Sequence, residues 1–219
     1  MRPQSGPAGT LAALQSGLDT LGIEISAEGI AALETYLALL ARWNAAYNLT
    51  AVRDPREMVT RHLLDSLAVA PLLPASARRL IDVGTGAGLP GVPLAIAQPD
   101  RHFDLLDSNG KKSRFLFQVK TELGLSNMAV CQGRVENWQP VEPYDAVLSR
   151  AFASLADMAH WCAHLCRPQG LLLAMKGQYP EAEIEELPAT LAVKSVESID
   201  VPGLGEERHL VVLQQVLQH

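Results

Sequence analysis

Leu80-Ile81-Asp82-Val83-Gly84-Thr85-Gly86-Ala87-Gly88-Leu89-Pro90-Gly91 is the stretch whose reading decides the fold. Leu80, Ile81 and Val83 make an apolar, β-branched run of the kind found in a buried parallel strand. The glycines end that strand, and Pro90 with the apolar positions after it reads as the first turn of a helix. Glycine lets the backbone reach positive φ and approach a ligand closely. Backbone N–H groups at such a turn, and at the helix start behind it, suit anionic or polar ligand groups. The stretch therefore points to a nucleotide-like cofactor.

The spacing narrows the reading. A dinucleotide fingerprint is Gly-x-Gly-x-x-Gly, whereas this chain has acidic-x-Gly-x-Gly-x-Gly through Asp82, Gly84, Gly86 and Gly88, with Leu89 where the third glycine would fall. That variant resembles motif I of the class I methyltransferases, which bind S-adenosylmethionine in the loop after the first strand. The bland alternative is a glycine-rich turn with no ligand, and a second signal weighs against it. His102-Phe103-Asp104-Leu105-Leu106-Asp107 reads as a second buried strand closed by a carboxylate 19 residues beyond Gly88. That is close to the ~20-residue offset at which an acid reaches ribose hydroxyls in βαβ nucleotide folds. A carboxylate can accept from both hydroxyls. Asp107 could equally cap the helix beginning near Lys111; the paired spacing favours the ribose.

Composition sets the outer bounds. The 219 residues, 48% of them hydrophobic, suit one globular core with an appendage. No apolar run reaches the ~18 residues of a membrane span, and Met1–Thr10 has no signal-peptide h-region. Cys131, Cys162 and Cys166 contain no C-x-x-C and complete no zinc set, so they read as small core residues in a reducing cytoplasm. The net charge of −6 argues superficially against an RNA partner. Residues 178–219 hold 8 acidic and 2 basic side chains, however, so the acid excess is entirely C-terminal. The remainder is neutral overall and can carry a local basic face.

Taken in order, residues 1–10 read as unstructured, and residues 11–78 as an all-helical layer ahead of the α/β core at 79–219. Leu11–Leu21 can form a short helix. Ser26 caps a longer one, with Ile25 and Ile30 as a hydrophobic staple and Ile30, Leu33, Leu37 and Leu40 on its buried face. Asp54, Pro55 and Glu57 start a further helix that runs through Arg61, His62 and Asp65 to Ala70, before Pro71. From Arg79, strands at 80–83, 102–106, 128–131, 145–148 and 171–174 alternate with helices at 90–97, 111–123, 154–166 and 181–187. Two final strands, near 192–199 and 210–216, complete a seven-stranded, mostly parallel sheet with helices on both faces.

Trp43-Asn44-x-x-Tyr47-Asn48-Leu49-Thr50-Ala51-Val52-Arg53 is followed by Arg61-His62-x-Leu64-Asp65-Ser66. With Asp82–Gly91, Leu106-Asp107-Ser108, Gly133-Arg134-Val135-Glu136 and Ser149-Arg150-Ala151-Phe152-Ala153, these blocks resemble the bacterial RsmG (GidB) family from about Leu33 to the terminal strands. Gly133 stands where the family usually has Ser, and Asn109-Gly110 replaces a Leu-containing turn. The resemblance implies a class I, Rossmann-like fold and methyl transfer from S-adenosylmethionine, leaving S-adenosylhomocysteine. It implies as target N7 of a guanine in 16S rRNA, guanine 527 of the 530 loop in the small ribosomal subunit. It further implies a cytoplasmic monomer without metal.

Carried over residue by residue, Gly84, Gly86, Gly88 and Leu89 would form the cofactor loop, and Asp107 would hold the ribose. Val135 and Glu136 would lie by the adenine, and Arg150 by the methionine end and the target base. Glu136 could instead serve a helix dipole, and Arg150 could be an ion-pair partner of Asp82 or Asp145. His62 reads as a packed helix histidine, and Trp43, Tyr47 and Phe152 as core. Candidate RNA contacts are Arg53, Arg56, Lys111, Lys112 and Lys176, the last of which could equally be a solvated lysine. Such contacts supply affinity but no base identity.

Guanine N7 carries no proton, so direct in-line displacement needs positioning rather than a general base; no catalytic residue is expected. Rival readings are a methyltransferase for a small molecule or protein, and a non-catalytic RNA-associated nucleotide-sensing module.

Overall fold

In the computed structural model, which describes residues 7–150, 152 and 154–216, seven strands form one sheet. They are β1 (Arg79–Val83), β2 (His102–Asp107), β3 (Met128–Gln132), β4 (Tyr144–Ser149), β5 (Cys166–Lys176), β6 (Leu191–Ser198) and β7 (His209–Gln215). The order across the sheet is β3-β2-β1-β4-β5-β7-β6. The first five strands pair in parallel, and β7 runs antiparallel between β5 and β6. The helices are α1 (Pro7–Leu21), α2 (Ala27–Tyr47), α3 (Pro55–Met58), α4 (Asp65–Leu67), α5 (Gly91–Ala97), α6 (Gly110–Leu123), α7 (Leu155–Cys162) and α8 (Glu181–Glu185). Among the described residues, no helix is long and apolar enough to cross a membrane.

The period of two along each strand divides the core. Leu80, Phe103, Leu105, Ala146 and Leu148 face α1, α2, α5 and α6 in the larger cluster. Ile81, Val83, Leu106, Val147 and Leu172 face α7 in the smaller one. Both faces are covered, as a parallel sheet requires. The strand order reverses between β1 and β4, and at that switch Ser149 Oγ donates to Val83 O at 2.8 Å. Open α/β sheets place their ligand crevice at the carboxyl ends of strands at such a point.

Several boundaries differ from the sequence reading. The first helix starts at Pro7, so residues 7–10 are helical rather than unstructured, while residues 1–6 lie outside the described residues. The segment expected as one helix from Pro55 to Ala70 is broken by a π turn at Val59–Leu64. This wider turn accompanies the burial of His62 and Asp65, both of which find partners on other segments. Helix α7 ends at Cys162, and β5 begins at Cys166 rather than Leu171. Arg167-Pro168-Gln169-Gly170 looks like a turn in sequence. It is accommodated within the strand by a register shift opposite Tyr144 and Ala146. Asn109, not Asp107, caps α6, its side chain accepting from Lys111 N at 2.9 Å.

Two buried contacts fix the loop between β1 and α5. Asp82 Oδ2 accepts from Thr85 Oγ1 at 2.7 Å and from Gly91 N at 2.9 Å. From the N-terminal layer, Tyr36 Oη donates to Ala87 O at 2.7 Å. Tyr36→Phe removes this donor from a buried carbonyl. The variant should unfold about 1–2 kcal/mol more easily in denaturant titrations and bind S-adenosylmethionine more weakly by calorimetry. Burial pushes the Asp82 carboxyl up to about 6, against the pull of its Thr85 and Gly91 hydrogen bonds. The folded protein therefore holds this proton more tightly than the unfolded chain. Protonation favours the fold as pH falls through about 6 towards 4, and above 6 the buried charge costs roughly 3 kcal/mol. The stability of Asp82→Asn relative to wild type should accordingly rise between pH 4 and 7, and a pH-independent difference would contradict this account.

Candidate active site

The glycine loop is built from backbone that only glycine adopts without strain. Gly84, Gly86 and Gly88 have φ of 69°, 63° and 92°. Gly84 N and Thr85 N donate to Leu106 O, tying the loop to β2. The three glycines do different jobs. A Cβ on Gly86 would meet nothing nearer than 3.9 Å, where it would approach Lys112 Nζ, so this position borders open space. A Cβ on Gly88 would come within 2.4 Å of Val92 and 2.8 Å of Leu116. Gly88 thus permits helix packing, and it is absent from the cavity walls. Gly91 is the tightest of the set, its Cβ position lying 2.1 Å from Leu105.

Asp107 closes β2 beneath this loop and is buried. Its Oδ2 accepts from Gly86 N at 2.9 Å and lies 3.4 Å from Lys112 Nζ, and its Oδ1 accepts from Asn109 N at 2.8 Å. Oδ2 thus meets two donors, and Oδ1 retains a lone pair for another. A cavity of about 340 Å³ opens over it, lined also by Gly84, Lys112, Val135, Glu136 and Phe152. A second hollow of about 230 Å³ shares Gly84 and is walled by Thr85, Gly86, Leu89, Leu49, Thr50 and Arg150. A third, of about 360 Å³, shares Arg150 and is lined by Arg61, His62, Asp65, Lys176 and Arg208 among others. The three hollows follow one another along the carboxyl edge of the sheet, from Asp107 past the glycines to the cationic cluster.

That cluster is held by acids from distant parts of the chain. Asp65, buried at 2% exposure, receives Arg150 Nη1 at 3.0 Å and Arg208 Nε at 2.8 Å, one on each oxygen. Glu206 bridges Arg208 and Arg61 at 3.1 and 2.7 Å. Lys176 Nζ lies 2.8 Å from Glu183, and Glu183 also accepts from Leu155 N at the start of α7. His62 Nε2 meets Thr50 Oγ1 at 2.9 Å. Burial pulls the His62 imidazole below its ordinary value, with Arg150 adding to the effect, so the ring is neutral around pH 7.

Against the sequence reading, Gly84, Gly86, Leu89, Asp107, Val135, Glu136 and Arg150 all line the first two hollows. Arg150 is ion-paired as one alternative held, but to Asp65 rather than to Asp82 or Asp145. Lys112 sits beside Asp107 in the first cavity, not on an outward basic face. Lys176 is neither solvated nor free, because Glu183 holds it. Arg53 donates to Asn48 Oδ1 and, with Arg56 and Lys111, lines none of the three hollows. Trp43 packs on Phe115 as core, whereas Tyr47 is 45% exposed and Phe152 stands in a cavity wall. Ala151 and Ala153 lie outside the described residues. Sequence reading did not single out Asp65, Arg208 and Glu206 as site groups. Asp65 and Arg208 are 143 positions apart, and no local spacing signals their meeting.

Comparison with known proteins agrees with this geometry. The chain is 54% identical over 197 residues to the ribosomal RNA small subunit methyltransferase G of Salmonella arizonae, covering 90% of this chain and 94% of that one. It is 49% identical over 201 residues to the protein of the same name from Nitrosococcus oceani, covering 92% and 93%. Among solved structures, it superimposes with a TM-score of 0.55 on the O-methyltransferase TomG from Streptomyces achromogenes, solved in complex with S-adenosylmethionine. That likeness carries 17% identity and covers 83% of this chain and 90% of that one. It identifies the class I S-adenosylmethionine-dependent methyltransferase fold. The model of one family, rRNA small subunit methyltransferase G, matches residues 29–211, and the chain belongs to that family of methyltransferases.

Proposed function

We propose that this enzyme transfers the methyl group of S-adenosylmethionine to N7 of a guanine in small-subunit rRNA, guanine 527 of the 530 loop. The observation that carries the reading is the set of adjoining hollows, the one over Asp107 sharing Gly84 with the one walled by Gly86 and Leu89, which shares Arg150 with the cationic recess. Family membership supports both the cofactor and the class of substrate. The small ribosomal subunit as substrate puts the activity in the cytoplasm.

The residues present fit S-adenosylmethionine. Asp107 offers remaining acceptor capacity to ribose hydroxyls, Val135 and Glu136 border the far end of the same cavity, and Gly86 leaves room where any side chain would intrude. Bound, this cofactor supplies a methyl group already activated on sulfur. The chain's own task is alignment and exclusion of water. Arg150, fixed by Asp65, stands between the cofactor hollow and the recess, where it can orient the base without giving up or taking a proton. Because N7 has no proton, no side chain need act as a base. His62 is the one histidine lining the recess, and burial pulls its imidazole below the ordinary value.

Two outcomes follow. Asp107→Ala loses charge-assisted hydrogen bonds of about 1.5–3 kcal/mol, so calorimetry should show S-adenosylmethionine binding weakened at least about tenfold with the circular dichroism unchanged. Wild-type affinity would remove Asp107 from the site. With rRNA and cofactor saturating, the single-turnover rate should stay nearly flat from about pH 6.5 to 8.5, above ordinary carboxylate values. The digested product should be 7-methylguanosine. A steep rise with pH, as a proton acceptor would produce, or another methylated nucleoside would overturn direct displacement.

A further inference from the structure

We propose that Tyr179 is a stacking platform for an unpaired RNA base next to the target guanine, a contact that rests on the rRNA reading above and specifies how the substrate is held. Tyr179 follows β5 by three residues and precedes Pro180, which biases it to extended backbone. Its side chain is 55% exposed, well beyond what a core tyrosine shows. One contact orients it. The ring stands perpendicular to that of His209, with centroids 5.8 Å apart. His209 is buried at 9% exposure and opens β7 opposite Lys176, so the platform is fixed to the sheet rather than to a loose loop.

The surroundings decide which partner fits. Arg208, the chain neighbour of His209, and Lys176, its cross-strand partner, both line the third hollow, and so does Gly177. A Cβ on Gly177 would lie 3.9 Å from Arg208 Nη1, so the turn carrying Tyr179 runs directly beside that guanidinium. An exposed aromatic interleaved with cations at the rim of a cationic recess has the composition of a single-stranded nucleic-acid site, where cations track phosphates and rings stack on bases. A protein partner would favour a wider apolar patch around the ring. Here the chain neighbours are Gln178 and Pro180, and the nearest residues of the sheet are Lys176, Arg208 and His209. Stacking tolerates any base, so the contact adds affinity and aligns the strand without reading its sequence.

Stacking depends on the ring and not on the hydroxyl, which gives the test its shape. Methyl transfer to undermethylated small-subunit particles is measured for wild type, Tyr179→Ala and Tyr179→Phe, together with S-adenosylmethionine binding by calorimetry and thermal unfolding. Tyr179→Ala should raise KM for the particle about tenfold, the scale of one lost stacking contact, with kcat little changed. Tyr179→Phe should restore KM to within about twofold of wild type. Cofactor affinity should be the same in all three. Wild-type KM in Tyr179→Ala overturns the platform, and so does equal impairment of both variants, which would assign the effect to the hydroxyl. A KM increase accompanied by weakened cofactor binding or a lowered unfolding temperature would make Tyr179 structural and also overturns it. If wild type itself leaves rRNA unmethylated, the functional reading fails, and the platform with it; wild-type turnover combined with an insensitive Tyr179→Ala sinks the platform alone.

Discussion

The site depends on one buried carboxylate oxygen. Asp82 Oδ2 takes the hydroxyl of Thr85 and the backbone N–H of Gly91, so a single atom sets both ends of the turn between β1 and α5. The burial that strengthens those bonds also opposes the charge, which is why the carboxyl titrates near 6. The contact leaves no room for a side chain on Gly91, whose Cβ would press on Leu105 and on Asp82 itself. With the turn fixed, Gly86 N reaches Asp107 at the end of β2, and two neighbouring strands present their carboxyl ends to one crevice. The hollow over Asp107 is therefore a consequence of strand order plus one hydrogen-bonded acid.

Most of this was legible in sequence because it is local. The glycine spacing, Asp107 at its offset, the caps Ser26 and Asp54, and the alternation of strands and helices all lie within short windows, where backbone geometry and side-chain period act directly. What was not legible is long-range. Nothing near Asp65 announces that Arg150 and Arg208 converge on it, or that the helix carrying it contains a π turn. Such turns often occur where a function sets side-chain direction. Gly88 shows the reverse error. It belongs to the motif by spacing, yet its missing side chain serves Val92 and Leu116 rather than a ligand. The strand expected from 171 starts earlier for a third reason, since β5 takes in Arg167-Pro168-Gln169-Gly170 with a register shift.

The N-terminal layer helps to wall the hollows at the edge of the sheet. Tyr36 holds the glycine loop from behind, Leu49 and Thr50 wall the second hollow, and His62 and Asp65 line the third. The family match begins at residue 29, so it includes most of α2 and the helical segments after it but not α1. By contrast, TomG, at 17% identity, shares the fold across much of the chain. The sheet supplies what every such fold must have, a place for the cofactor.

Two of the C-terminal acids that give the chain its net negative charge are paired with cations lining the third hollow. Glu183 holds Lys176 and the start of α7, and Glu206 holds Arg61 and Arg208. Each cation is thus ordered before any phosphate arrives. Ordering a long side chain costs roughly 0.5–1.5 kcal/mol at an interface, and internal carboxylates have already met that cost. The exposed pairs are weak, so a phosphate can displace Glu206 from Arg61 with little loss. Asp65 is different. Buried and carrying both Arg150 and Arg208, it is a fixed anchor, since removing either arginine leaves a buried carboxylate short of a partner. The recess thus combines cations held by exposed, weak pairs with cations held by a buried carboxylate.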